Sequence, residues 1–167
     1  GDEVQAEMYL ETVSFLEARG FRQYEISNFA RPGRESRHNL KYWTLEEYLG
    51  FGPGAHSYFQ GRRFAWARDL DAFLRGDRIL SEARRVSLRD RREEYLMLRL
   101  RLTRGLHPDH FEGTFGLDFS PFLPFLERCE AAGYAVRREG AWRLTPRGFL
   151  VSNQIIGELL ALLPPCP

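Results

Sequence analysis

The sequence predicts an α+β chain, and three observations carry that reading. Apolar residues make up 43% and charged residues 28% of the 167 positions, a foldable globular composition. Short elements separated by glycine and proline loops fill the first half, and a regular helical pattern begins after a connector at 77–87. Three helices, a β-hairpin and a closing helix then follow over roughly 87–163. That order is winged-helix-like, with a boundary near 78–86. The length suits one domain or two small ones, and there is no internal repeat or low-complexity tract.

In chain order, residues 3–19 place Val4, Met8, Val13 and Leu16 near helical spacing, with Gly20 where a left-handed cap is wanted. FRQYEISNF (21–29) reads as a strand, broken by Arg31-Pro32-Gly33. Thr44 and Glu47 form a capping box for a short helix ending at Gly50. Gly50, Gly52, Pro53 and Gly54 make a tight loop before His56-Ser57-Tyr58-Phe59. Asp69 to Arg75, closed by Gly76, is another short helix. Ser87 and Asp90 form a second capping box, opening a helix to about Arg104 and Gly105. Leucines at 96, 98, 100 and 102 alternate as a strand would, but the long run without β-branched residues favours helix. A short helix follows Pro108, and another runs from Ser120-Pro121 to Gly133 with Ser as N-cap. Tyr134–Arg138 and Ala141–Leu144 flank Glu139-Gly140, a hairpin pair. Thr145-Pro146 starts a last apolar helix to about Leu163, which packs internally or on a second subunit as a homodimer.

Composition excludes several classes. No stretch approaches the ~18 apolar residues of a membrane span, and no basic-then-apolar leader opens the chain, so the expectation is a soluble, cytoplasmic protein. Cys129 and Cys166 have no partner at metal or redox spacing, which argues against a disulfide scaffold and fits a reducing compartment. Lys41 is the one lysine among 24 basic residues against 23 acidic ones, so an acidic ligand would be held by Arg, whose planar fork suits carboxylate and phosphate. The start at Gly1, directly into helical sequence, suggests a piece of a longer chain.

The densest cluster of chemistry-bearing residues is 24–59. It interleaves polar and aromatic residues on loops, as sites do. The residue types alone equally allow Tyr42 and Trp43 to pack and His38 to cap a turn.

YEISNFARPGRESRHNLKYW followed by GFGPGAHS resembles the radical-SAM proteins related to oxygen-independent coproporphyrinogen III oxidase, specifically their HemW-type haem-chaperone branch. That branch's HNxxYW motif stands complete as His38, Asn39, Tyr42 and Trp43. The similarity continues through Arg68-Asp69-Leu70, LMLRLRLTRGL (96–106) and LTPRG (144–148), covering nearly the whole chain; Arg99 replaces a usual glycine. The resemblance implies the end of an incomplete (β/α) radical-SAM barrel over 1–80, then a HemN-type C-terminal domain over 81–167. The family's Cys-x3-Cys-x2-Cys motif for a [4Fe-4S] cluster and its glycine-rich S-adenosylmethionine segment are absent here. The chain alone should therefore be inactive in cleaving S-adenosylmethionine, and its partner would be the remaining N-terminal radical-SAM half.

Residue by residue, the resemblance implies that His38 contacts haem and is the candidate ligand to its iron. Asn39, Tyr42 and Trp43 would shape the pocket, and Arg31, Arg34 and Arg37 would meet the propionates. Hydrogen bonding within the loop is the competing role for His38. Ala30 and His56 are expected on the S-adenosylmethionine side. The implied function is haem binding and delivery to an acceptor protein. The alternative is an oxygen-independent coproporphyrinogen III oxidase of porphyrin biosynthesis.

Other signals are weaker. Gly50-x-Gly52-x-Gly54 lacks a phosphate-loop ending and reads as a turn. His107 and His110 lack the further ligands of a zinc site, and Cys129 reads as a small buried apolar group. A winged-helix nucleic-acid-binding module is the rival from another class. Residues 81–104 carry eight Arg against four acids, but 107–133, including the would-be recognition helix, carry five acids against one Arg. Such a helix repels phosphate, so nucleic acid is not an expected partner.

Overall fold

The computed structural model describes residues 1–165; Cys166 lies outside the described residues. Helix α1 (Asp2–Glu17) leads into an antiparallel hairpin of β1 (Arg22–Glu25) and β2 (Asn28–Ala30). Helix α2 (Arg37–Thr44) follows. A second antiparallel sheet is ordered β3 (His56–Phe59), β4 (Arg62–Trp66), β5 (Leu80–Arg85), with α3 (Leu70–Arg75) between its last two strands. The remainder is α4 (Leu88–Leu100), α5 (Pro108–Phe115), α6 (Leu123–Ala131), the hairpin β6 (Ala135–Arg138) and β7 (Ala141–Leu144), then α7 (Pro146–Leu150) and α8 (Ser152–Ala161).

Local signals decide several of these elements. The Ser87 hydroxyl accepts from Asp90 N while the Asp90 carboxylate accepts from Ser87 N, so both halves of the capping box that opens α4 are made. Asp69 caps α3, and Gly76 closes it in the left-handed region. Glu139 and Gly140 both have positive φ (52° and 76°), the conformation a two-residue turn needs to match strand twist. The core then gathers Leu96 and Leu100 of α4, Phe111 of α5, Phe119, Phe122, Leu126, Trp142 and Leu159. Phe111 sits edge-on to Phe119 and Phe122, at 5.7 and 5.5 Å between centroids.

The structure corrects six expectations. Residues 21–29 are a hairpin rather than one strand: the turn is held by Ser27 N donating to Glu25 Oε2 and needs no glycine or proline. The short helix lies at 37–44, upstream of its expected place, because Ser36 supplies the cap and Leu45 ends it with φ 60°. Thr44 instead donates its hydroxyl to Leu40 O. The connector at 77–87 contains β5, whose residues are all exposed and take their register from β4. Helix α4 stops at Leu100 because the next residues give their backbone groups to the β1–β2 hairpin. Ser120 does not cap α6; it lies in a turn of 3₁₀ helix and donates to Asp118. The final helix is broken at Val151, so α7 packs on α1 and β7 while α8 packs on α4.

Gly148 is the tightest backbone approach: an added Cβ would lie 1.9 Å from the carbonyl oxygen of Tyr134. Gly148→Ala should lower stability by about 2–3 kcal/mol through overpacking, read by denaturant unfolding. Hydrogen bonds from Ser87, backbone first, hold the Asp90 carboxyl below its usual value. A depressed native value adds stability above the unfolded carboxylate range, which disappears as pH falls through the native value. Asp90→Asn should therefore flatten that part of the acid-unfolding curve.

Candidate functional site

The spacing of HNxxYW becomes meaningful on a helix. Residues four apart share an edge, so His38 pairs with Tyr42 and Asn39 with Trp43 on adjacent edges. Ser36 starts this helix by accepting a hydrogen bond from Asn39 N at 3.2 Å. On the outer edge, His38 Nε2 lies 2.9 Å from the Tyr42 hydroxyl, and the two rings meet edge-to-face at 5.2 Å. Both residues are exposed, Tyr42 to 39%. On the inner edge, Asn39 Nδ2 donates to the Tyr24 hydroxyl at 3.4 Å. Trp43 is half-buried, with its indole N–H enclosed and without a partner among the described residues.

Tyr42 continues inward onto Tyr48, edge-to-face at 4.6 Å. Tyr48 is held by backbone hydrogen bonds in both directions with Tyr58. Burial, partly offset by Arg63, pushes the Tyr48 phenol up. Arg63 of β4 pairs with Glu94 of α4 at 2.8 Å, joining the sheet to the helix beside Tyr48. The cleft between them, lined by Tyr42, Tyr48, Tyr58, Arg63 and Glu94, is about 180 Å³. Pockets that enclose a small molecule usually start near ~300 Å³. A porphyrin at α2 would therefore lie on an open surface.

Arg31, Arg34 and Arg37 are all exposed on the approach to α2. Arg31 lies over the Phe21 ring at 5.4 Å, and the turn is closed by Arg34 N donating to Arg31 O. None of the three has a carboxylate partner among the described residues.

The other expected residues sit apart from α2. Ala30 ends β2, buried and paired with Arg22. His56 begins β3, exposed, with Nδ1 3.3 Å from Glu82 Oε1. The glycine-rich loop is a packed turn: Gly50 N donates to Ser57 Oγ, Trp66 Nε1 donates to Gly50 O, and a Cβ at Gly50 would lie 2.2 Å from His56 O. His107 occupies the N-cap position of α5, and His110 stacks on Tyr95 and shares a hydrogen bond with its hydroxyl. Among the described residues no group of three metal-ligating side chains converges. Cys129 is buried on α6, and burial pushes its thiol up, as expected of a packing residue. No described helix is long and apolar enough to cross a membrane.

Sequence reasoning missed Ser36, Tyr24 and Tyr48, which hold this helix. Ser36 had a readable signal, a serine three residues before Asn39. Tyr24 comes from β1, 15 positions before Asn39, and Tyr48 follows just past the helix; neither had a readable signal.

The second half of this α+β chain, helices closed by a hairpin, carries the HemN C-terminal domain: that family matches residues 86–151. The chain is 36% identical to the haem chaperone HemW of Bacillus subtilis over 96% of its own length and 44% of that protein. It is 34% identical to HemW of Escherichia coli over 87% of its length and 40% of that protein. The solved structure of the E. coli coproporphyrinogen III oxidase HemN, a radical SAM enzyme, superposes with a TM-score of 0.66 at 18% identity, over 92% of this chain and 40% of that one. Over most of its length the chain is thus similar to HemW haem chaperones, and it spans about two fifths of the length of these relatives.

Tyr42→Phe should release His38 Nε2 without unfolding α2, since the two meet on the exposed edge. The imidazole ¹⁵N resonances of His38 should move, while the backbone amide shifts of 37–44 stay nearly constant.

Proposed function

We propose that this chain is the haem-handling part of a radical-SAM haem chaperone: it receives haem as cargo at α2 and yields it to an acceptor protein. The observation that carries this reading is the exposed edge of His38 and Tyr42, flanked by three arginines without carboxylate partners among the described residues. Two HemW relatives described as haem chaperones add support.

The donor set suits an iron porphyrin. A neutral imidazole is a good axial ligand, and Arg forks pair with propionates. An open surface leaves the cargo's other face within reach of a second protein, as a carrier needs. His38 Nε2 would reach iron when the Tyr42 hydroxyl lets go, so Tyr42 sets the availability of the ligand atom. The enclosed Trp43 and the Tyr24-bound Asn39 position the helix rather than cover the porphyrin.

The S-adenosylmethionine and [4Fe-4S] chemistry would belong to the radical-SAM half of the longer protein, with Ala30 and His56 toward its S-adenosylmethionine side. We read 1–80 as the barrel end and 81–167 as a winged-helix-like unit that covers the barrel or meets the acceptor. Val4, Met8 and Phe15 on α1 are exposed apolar residues that the barrel half would cover. The reading places the protein in the cytoplasm. The oxidase alternative has the HemN likeness in its favour, which speaks to fold alone.

Titrating haem and following its Soret band should show His38→Ala binding at least about tenfold weaker, a loss of ~1.4 kcal/mol. Arg34→Gln and Arg37→Gln should each cost less. Binding unchanged by His38→Ala removes His38 from the site. Turnover of coproporphyrinogen by the full-length, cluster-loaded protein would decide for the oxidase.

A further inference from the structure

A second concave surface lies between the α1–β1 corner and the β6–β7 hairpin. It is a cleft of about 650 Å³, with Glu17 and Arg22 on one wall and Arg138, Arg143, Leu144 and Phe149 on the other. That size is within the usual range for clefts that hold small organic ligands.

The hairpin's register sorts its arginines. Val136 pairs with Arg143 and Arg138 with Ala141, so Arg138 and Arg143 share one face. Arg137 takes the other face and lies over the Trp142 ring at 5.9 Å. Arg143 binds Glu139 through Nη2, yet its Nε–H is buried without a partner among the described residues. Arg22 and Arg138 are exposed and have no carboxylate partner among the described residues. Three guanidinium groups thus line a cleft to which Glu17 contributes the one lining carboxylate. Concave walls focus such a field on an anion, and the guanidinium fork is shaped for oxyanions.

We propose that this cleft binds a small anion bearing two oxyanion groups, which are held by Arg22 and Arg138 across the cleft. Two carboxylates or two phosphates offer the same chemistry to the walls. The site is independent of the α2 reading: haem binding can fail at His38 and leave it intact.

Glutarate and pyrophosphate are the probes, titrated separately into the intact chain while the arginine Nε–H resonances are followed. Saturable shifts at Arg22 and Arg138 are expected with at least one probe, and the tighter probe assigns carboxylate or phosphate as the preferred group. Arg22→Gln and Arg138→Gln each remove one charge-assisted contact and should weaken binding about tenfold. Both sites are exposed, and circular dichroism checks that the fold is retained. The proposal is overturned if neither probe saturates, if both variants titrate like the wild type, or if sodium chloride at equal ionic strength reproduces the shifts.

Discussion

The backbone junction between the first hairpin and the segment after α4 governs the arrangement of this protein. Ile26 N donates to Arg101 O, Thr103 N donates to Tyr24 O, and the Thr103 hydroxyl lies within hydrogen-bonding distance of the carbonyls of Gln23 and Tyr24. Leu102 is completely buried between them. These bonds end α4, attach the hairpin to the helical core and enclose Glu25, one of whose carboxylate oxygens has no partner among the described residues. Buried backbone groups must be paired, so the hairpin and the helical region cannot separate without exposing several unmade hydrogen bonds.

The junction reaches the candidate haem helix through one residue. Tyr24 uses its carbonyl to accept from Thr103 and its hydroxyl to accept from Asn39. The inner edge of α2 is thereby tied to the same backbone that ends α4, while its outer edge stays open. Both edges come from one six-residue motif. The half that anchors is polar-bonded or half-buried, and the half that remains available carries the imidazole and phenol. A carrier surface needs this division, because a ligand group can be both rigidly placed and accessible only if different side chains do the two jobs.

The same economy appears at the Arg63–Glu94 pair. The pair is mostly buried, so water screens it less than a surface bridge. It links the β3–β4–β5 sheet to α4, and Arg63 also lies over the Tyr58 ring at 5.3 Å. Arginine supplies nearly all the positive charge here: Arg63 and Arg84 pair with acids of α4 and join it to the sheet, whereas Arg31, Arg34 and Arg37 have no carboxylate partner among the described residues.

Elements whose signal lies within a few residues were legible in the sequence. The Ser87 and Asp90 box, the Asp69 cap with Gly76, and the Glu139-Gly140 turn all formed, because capping and turn geometry depend on neighbours in the chain. The HNxxYW segment was legible as a motif, yet its helix was expected several residues too late. Tertiary contacts decided the rest. The strand at 80–85 exists through pairing with β4, α4 yields its last residues to a hairpin some 75 positions away, and the closing helix breaks so that its halves can serve different partners. Residue order determined which side chains were available and which short turns and caps would form; only the packed chain determined which edge of α2 faced outward, because burial and hydrogen-bond pairing are settled among residues far apart in sequence.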